Sequence, residues 1–93
     1  MAADSIINYV VTDHAKLELL RRGLSEQVIH AILSAPEQRD AVRPGRVVLQ
    51  SRLSMGEPAT TFVVRVFVDV DRHPAEVVTA YRTSKIGKYW RKP

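Results

Sequence analysis

Ninety-three residues, fourteen Lys or Arg against ten Asp or Glu and a formal net charge of +4 describe one small basic domain, long enough to close a single core without staples. The chain has no cysteine, so disulfide frameworks and thiolate metal sites are excluded. No apolar run approaches the ~18 residues of a membrane span, and Met1 to Ser5 lacks a basic leader, so the expectation is a soluble, cytoplasmic domain over residues 1–93 with no signal peptide and no membrane partner.

Ser5 to Val11 is short and β-rich and predicts a first strand. Thr12 and Asp13 offer N-cap oxygens for a helix over about residues 13–22, with Gly23 as its stop. Ala15, Leu19 and Leu20 share one face of that helix, while Lys16, Glu18, Arg21 and Arg22 point mainly elsewhere. Ser25 caps a second helix, Leu24 staples onto Ile29, and Val28, Ile29, Ile32 and Leu33 form its apolar stripe. Pro36 limits that helix near Ser34.

Strand patterns follow. Gln38 to Val42 reads as a short strand, Arg43-Pro44-Gly45 as a turn, and Arg46 to Leu53 as a longer strand. Thr61 to Val70 is apolar on both sides, which predicts a central strand, with Arg65 the one cation on a covered face. A turn at Asp71-Arg72-His73-Pro74 leads to a last strand from about Glu76 to Arg82, whose alternation groups Val77, Thr79, Tyr81 and Thr83. Short links favour antiparallel neighbours. The expected fold is α+β: two N-terminal helices packed on a twisted antiparallel sheet of about four to five strands, the second sheet face open to a ligand.

Charge is unevenly spread. Residues 1–42 carry four Lys or Arg against six Asp or Glu, and residues 43–93 carry ten against four. That asymmetry favours an anionic partner for the second half. Arg46, Gln50 and Arg52, then Arg65, then Thr79 and Tyr81 are polar residues on three successive strands, within ~5–10 Å of one another at ordinary strand spacing. Which strand parity faces outward stays open. A buried Arg65 needs either a ligand or an ion pair, with Asp69 or a loop carboxylate the internal choice. Tyr81 is a donor to a ligand or a core residue with a satisfied hydroxyl.

After Arg82 the chain alternates hydroxyls, cations and rings: Thr83, Ser84, Lys85, Lys88, Tyr89, Trp90, Arg91 and Lys92. Phosphate contacts and stacking are what single-stranded RNA recognition uses. The alternative is that Ile86, Tyr89 and Trp90 pack back on the sheet while the cations stay solvated. His14, in the first turn of the first helix, is a candidate proton donor or acceptor. His30 and His73 have no companions at metal spacing. Phosphate loops, Ser-His-Asp arrangements and cofactor motifs are not read in this chain, so no metal or cofactor is expected.

Asp13-His14-Ala15 with Arg22-Gly23-Leu24-Ser25, Arg43-Pro44-Gly45-Arg46, Arg65-Val66 and the run from Thr79 to Trp90 together resemble a small bacterial family of unknown function. That family is grouped with the RelE/ParE-like toxins, in the wider set of folds that includes barnase and colicin-type ribonucleases. The resemblance spans about residues 12–91. It implies metal-independent RNA cleavage by attack of a 2′-hydroxyl on the adjacent phosphate, with His14, Arg65, Tyr81 and Lys85 as catalytic groups. Arg46, Gln50, Arg82, Thr83, Ser84, Lys88, Trp90 and Arg91 would then bind RNA, and ribosome-bound mRNA is one such substrate. It also implies a small antitoxin protein that covers the basic face. Two further readings stand beside it: a non-catalytic RNA- or protein-binding module, and a ParE-type gyrase inhibitor. Oligomeric state is not legible.

Overall fold

In the computed structural model, which describes residues 3–92, eight elements follow one another: β1 (Tyr9–Val11), α1 (Asp13–Arg21), α2 (Glu26–Ser34), β2 (Gln38–Arg43), β3 (Arg46–Met55), β4 (Thr60–Asp69), β5 (Ala75–Thr83) and α3 (Ile86–Tyr89). The expected caps form. Thr12 Oγ1 accepts from Ala15 N and Ser25 Oγ accepts from Val28 N, each at 3.1 Å, which satisfies orphan donors of the first turns. Gly23 takes a left-handed φ of 66° just past α1, a conformation that glycine reaches without strain.

The five strands make one α+β sheet in the order β1-β5-β4-β3-β2. β2 to β5 form the expected antiparallel meander. β1 departs from it, running parallel to β5 with Tyr9 opposite Ala75 and Val11 opposite Val77. Two helices separate β1 from β2, so β1 is not bound to a neighbour by a short link and lies beside the last strand instead. The tail departs from the sequence reading as well, forming a short helix, α3, over Ile86–Tyr89. Among the described residues no helix is long and apolar enough to cross a membrane.

One core holds the fold. Ala15, Leu19, Leu24, Ile29, Ile32 and Leu33 from the helical segment meet Leu49, Val64, Val66, Val68, Val77 and Ala80 from the sheet, all buried. Each large aliphatic among them contributes about 1.5–3 kcal/mol by leaving water.

The inward set on β5 is not a simple alternation. Phe67 faces Thr79, but Val68 faces Val77, so Val78 is an extra, bulged residue. Val77 therefore shares the helix side with Ala80 and Arg82, while Thr79, Tyr81 and Thr83 fall on the other side beside Arg65. The predicted grouping of Val77 with Tyr81 is corrected by that one residue.

The second face is also covered. Val48, Gln50 and Val63 alternate with the helix-side residues and are buried too. The chain after β5 crosses over them toward β2. Gln50 Nε2 donates to the Tyr89 carbonyl at 3.1 Å, Gln38 Nε2 donates to the Arg91 carbonyl at 2.6 Å, and the Arg91 amide returns a bond to Gln38 Oε1 at 3.1 Å. The Arg91 guanidinium pairs with Asp40, and the Arg52 guanidinium lies 4.3 Å from the Trp90 ring. The β2–β3 side of the face expected to stand open is thus covered by the chain's own tail, as in the packed-back alternative, while Arg65 and Tyr81 on the β4–β5 side stay partly exposed.

Candidate functional site

Arg65 interrupts the most apolar strand, and the register places Gln50 of β3 and Tyr81 of β5 directly beside it. Its Nε donates to Gln50 Oε1 at 2.9 Å and its Nη1 to the Tyr81 hydroxyl at 2.7 Å. Three rings surround the guanidinium: Tyr89 at 4.6 Å, Phe67 at 5.4 Å and Tyr81 at 5.8 Å from their centroids. Arg65 makes no ion pair among the described residues. The internal pair with Asp69 does not form, because Asp69 lies opposite Arg46 and takes both arms of its fork, at 2.6 and 3.1 Å. Those bonds hold the Asp69 carboxyl below the usual carboxylate range and push the Arg46 guanidinium up.

Both partners of Arg65 are neutral, so its charge is uncompensated. Nη2 has no hydrogen-bond partner among the described residues, and neither has the Tyr81 proton, since that hydroxyl accepts from Arg65. Arg65 and Tyr81 therefore present donors on one side of the sheet with no acceptor. An oxyanion is the complement of such a pair.

Gln50 holds this arrangement in place. It is 1% exposed, donates to Gln38 Oε1 at 2.7 Å and to the Tyr89 carbonyl, and accepts from Arg65. Although expected among the RNA contacts, it reaches no solvent and instead fixes Arg65. Trp90 and Arg91 are likewise engaged, on Arg52 and Asp40. Ser84, Lys85 and Lys88 are exposed at the turn that follows. There Thr83 Oγ1 accepts from Lys85 N at 3.1 Å, and Lys88 Nζ sits 5.3 Å from the Tyr89 ring.

The fold thus gathers Arg65, Gln50 and Tyr81, with Thr83, Ser84, Lys85 and Lys88 close behind them in the chain. Three expected residues lie apart. Arg46 is four residues, about 13 Å, from the level of Arg65 along the sheet and is neutralised by Asp69. Arg82 points to the helix side, against Met55 Sδ at 3.9 Å and the Phe62 ring at 5.1 Å. His14 is on α1, with Nε2 3.7 Å from Glu18 Oε1.

Sequence reasoning passed over Glu18. Its carboxylate is 3.2 Å from Arg22 Nη2 and accepts from Thr79 Oγ1 at 3.3 Å. Arg22 Nη1 donates to Thr79 Oγ1 at 3.2 Å and to the Ala80 carbonyl at 2.7 Å. The cause is topological. β1 pairs only with Ala75, Glu76 and Val77, and α1 takes over the rest of that edge, anchored by Thr12 N to the Val77 carbonyl at one end and by Arg22 at the other. The signal available in the sequence was the one-turn spacing of His14, Glu18 and Arg22. Among the described residues no three His, Asp or Glu side chains converge as a metal site requires. Comparison with protein-family models, with curated proteins and with solved structures finds no match to this chain.

Proposed function

We propose that this domain is a toxin-like ribonuclease of the RelE/ParE-like type, which holds an RNA phosphate against β4 and β5 and cleaves without a metal. The observation that carries the reading is the uncompensated Arg65 guanidinium, fixed by buried Gln50 and joined to a Tyr81 hydroxyl whose proton has no acceptor among the described residues. Donors oriented in advance and shielded by rings stabilise a developing oxyanion at no cost of reorganisation. Exposed Lys85 and Lys88 add positive charge for neighbouring phosphates, and the exposed Ser84 hydroxyl adds a neutral donor. The resemblance to the toxin family and the strand-helix-helix-strand order support the assignment. In the cell a small antitoxin protein covers the basic surface, and ribosome-bound mRNA is one form of the substrate.

The test is cleavage of labelled RNA by pure protein in the presence of a chelator. Arg65→Met and Tyr81→Phe, each shown by circular dichroism to be folded, lose activity. Intact free and ribosome-bound RNA at high protein concentration overturns the reading. A second reading, an RNA-binding module without chemistry, rests on the same unpaired Arg65 and the exposed Lys85 and Lys88, with no proton acceptor beside them among the described residues. It expects salt-steep RNA binding with no cleavage.

A further inference from the structure

Phe67 stands on the second face of the sheet and takes no part in the core cluster. Its cross-strand neighbours are Val48, which is buried, and Thr79, and its own ring stays partly exposed. Cover for Val48 requires only an aliphatic side chain, so packing leaves the aromatic ring unexplained. Its surroundings supply a reason. Tyr89 meets Tyr81 edge-on at 6.2 Å and 69°, Tyr81 stacks on Phe67 at 5.8 Å and 30°, and among the described residues no further ring meets Phe67. The three rings form a row that starts in the tail and ends at Phe67. The Arg65 guanidinium lies beside that end, 5.4 Å from the ring centroid, with its Nη2 unpaired among the described residues.

We propose that Phe67, backed by Tyr81, is the platform for one unpaired nucleobase, so that this surface selects single-stranded RNA by base exposure and not by base identity. The assignment rests on the phosphate that the ribonuclease reading above puts at Arg65. A nucleotide carries its phosphate and its base on one sugar. A phosphate on Arg65 Nη2 and the Tyr81 hydroxyl therefore brings a base within reach of a ring 5.4 Å from that guanidinium. The base continues the row of rings, and any base can do so, because each has a π-face. Phe67 has no hydrogen-bonding atom, and the Tyr81 hydroxyl is held by Arg65, so the platform offers nothing to read a base edge. In a duplex each base is covered on both faces by its neighbours. A side chain on a flat sheet cannot reach between them, so the base has to be out of the stack before it meets Phe67.

The experiment measures binding apart from cleavage, on short 2′-O-methyl oligoribonucleotides that lack the attacking hydroxyl. One strand carries its bases, a second of equal length and charge is abasic throughout, and a third is the first annealed to its complement. Phe67→Leu binds the base-bearing strand about 5–150-fold more weakly than wild type does and binds the abasic strand equally well. Phe67→Tyr, which keeps the ring, binds both as wild type does. Strands of adenosine and of uridine both show the loss, and the duplex binds more weakly than the single strand. A Phe67→Leu protein that loses nothing, or loses the same factor on both single strands, overturns the platform, and so does a duplex bound as tightly as its free strand. If Phe67→Leu does not fold, wild type decides alone: equal affinity for the base-bearing and abasic strands overturns the platform. Cleavage of the unmodified strand is assayed in parallel. A protein that cleaves without that dependence on bases loses the platform and keeps the ribonuclease reading. One that shows the dependence and cleaves nothing loses that reading, and the platform then belongs to a binding module. A protein that binds neither single strand loses both.

Discussion

Gln50→Leu is the most informative single change to the scaffold. Leucine fills nearly the same space and removes every polar contact of the amide. Arg65 Nε and the Tyr89 carbonyl then lose a partner, whereas Gln38 Oε1 keeps the Arg91 amide. A hydrogen bond to a charged donor contributes about 1.5–3 kcal/mol and a neutral one about 1, and the added apolar surface of leucine offsets part of the loss. The net destabilisation is about 3 kcal/mol, within the ~5–15 kcal/mol that small domains possess, so the variant folds. With a urea m-value of about 1.5 kcal/mol/M, the midpoint falls by about 2 M. Trp90 is the single tryptophan and lies on Arg52 in the tail that Gln50 secures. Its emission therefore shifts to the red in native buffer as the tail loosens. A midpoint shift below about 0.5 M, with unchanged emission, refutes the idea that Gln50 ties the tail to the sheet.

Other expectations concern local chemistry. Asp69 and Glu37 both have carboxyl pKa values lowered first by hydrogen bonds, from Arg46 and Arg52 respectively. Depressed folded-state values mean that their stabilisation is complete above the ordinary carboxylate range near pH ~4 and is lost as pH falls through the folded values. Urea midpoints therefore drop on acidification below about pH 4, and Asp69→Asn shows a shallower drop than wild type. Ser25→Ala removes the cap of α2 and costs about 1 kcal/mol, a fall of about 4–8 °C in Tm by calorimetry. Gly45 has φ 85°, and a Cβ there would stand 2.6 Å from Asp71 Oδ2. Gly45→Ala is expected to cost about 1–2 kcal/mol from the left-handed backbone alone, with the exposed Asp71 side chain swinging aside.

Local signals carried most of the architecture. Ser25 and the Val28-Ile29-Ile32-Leu33 stripe placed α2 because cap and stripe act within one helix. The run from Thr61 to Val70 placed β4 because a strand buried on both sides must be apolar on both parities. The parallel pairing of β1 with β5 left no comparable mark, since three residues contain too little pattern to name a distant partner. In the site, Arg65 was legible as a cation with nothing apolar to do. Its partners were not, because the choice between Asp69 and Tyr81 depends on the register across β3, β4 and β5. Glu18 and Arg22 looked like ordinary solvent-face helix residues; only the exposed β5 edge beside α1 gives them acceptors and donors. The rings of the tail read equally well as stacking surfaces for bases or as cover for the sheet, and the contacts to Gln38 and Gln50 decide for cover.

The bulge at Val78 makes position in the chain matter more there than side-chain identity. Ala75 to Val77 keep step with β1 and Val68, and Thr79 to Thr83 keep step with Phe67 to Val63, half a period out of phase with them. Any β-forming residue at 78 preserves that offset. Deleting the residue would close the bulge into a regular ladder, with Val77 still opposite Val68, Thr79 opposite Phe67 and Tyr81 opposite Arg65. The extra residue therefore sets the local bend and twist of β5 rather than the face that Tyr81 presents. Substitution and deletion at Val78 are both expected to leave Arg65 its phenol, and what the deletion changes is the angle at which the ligand-facing half of the strand leaves the half that builds the core.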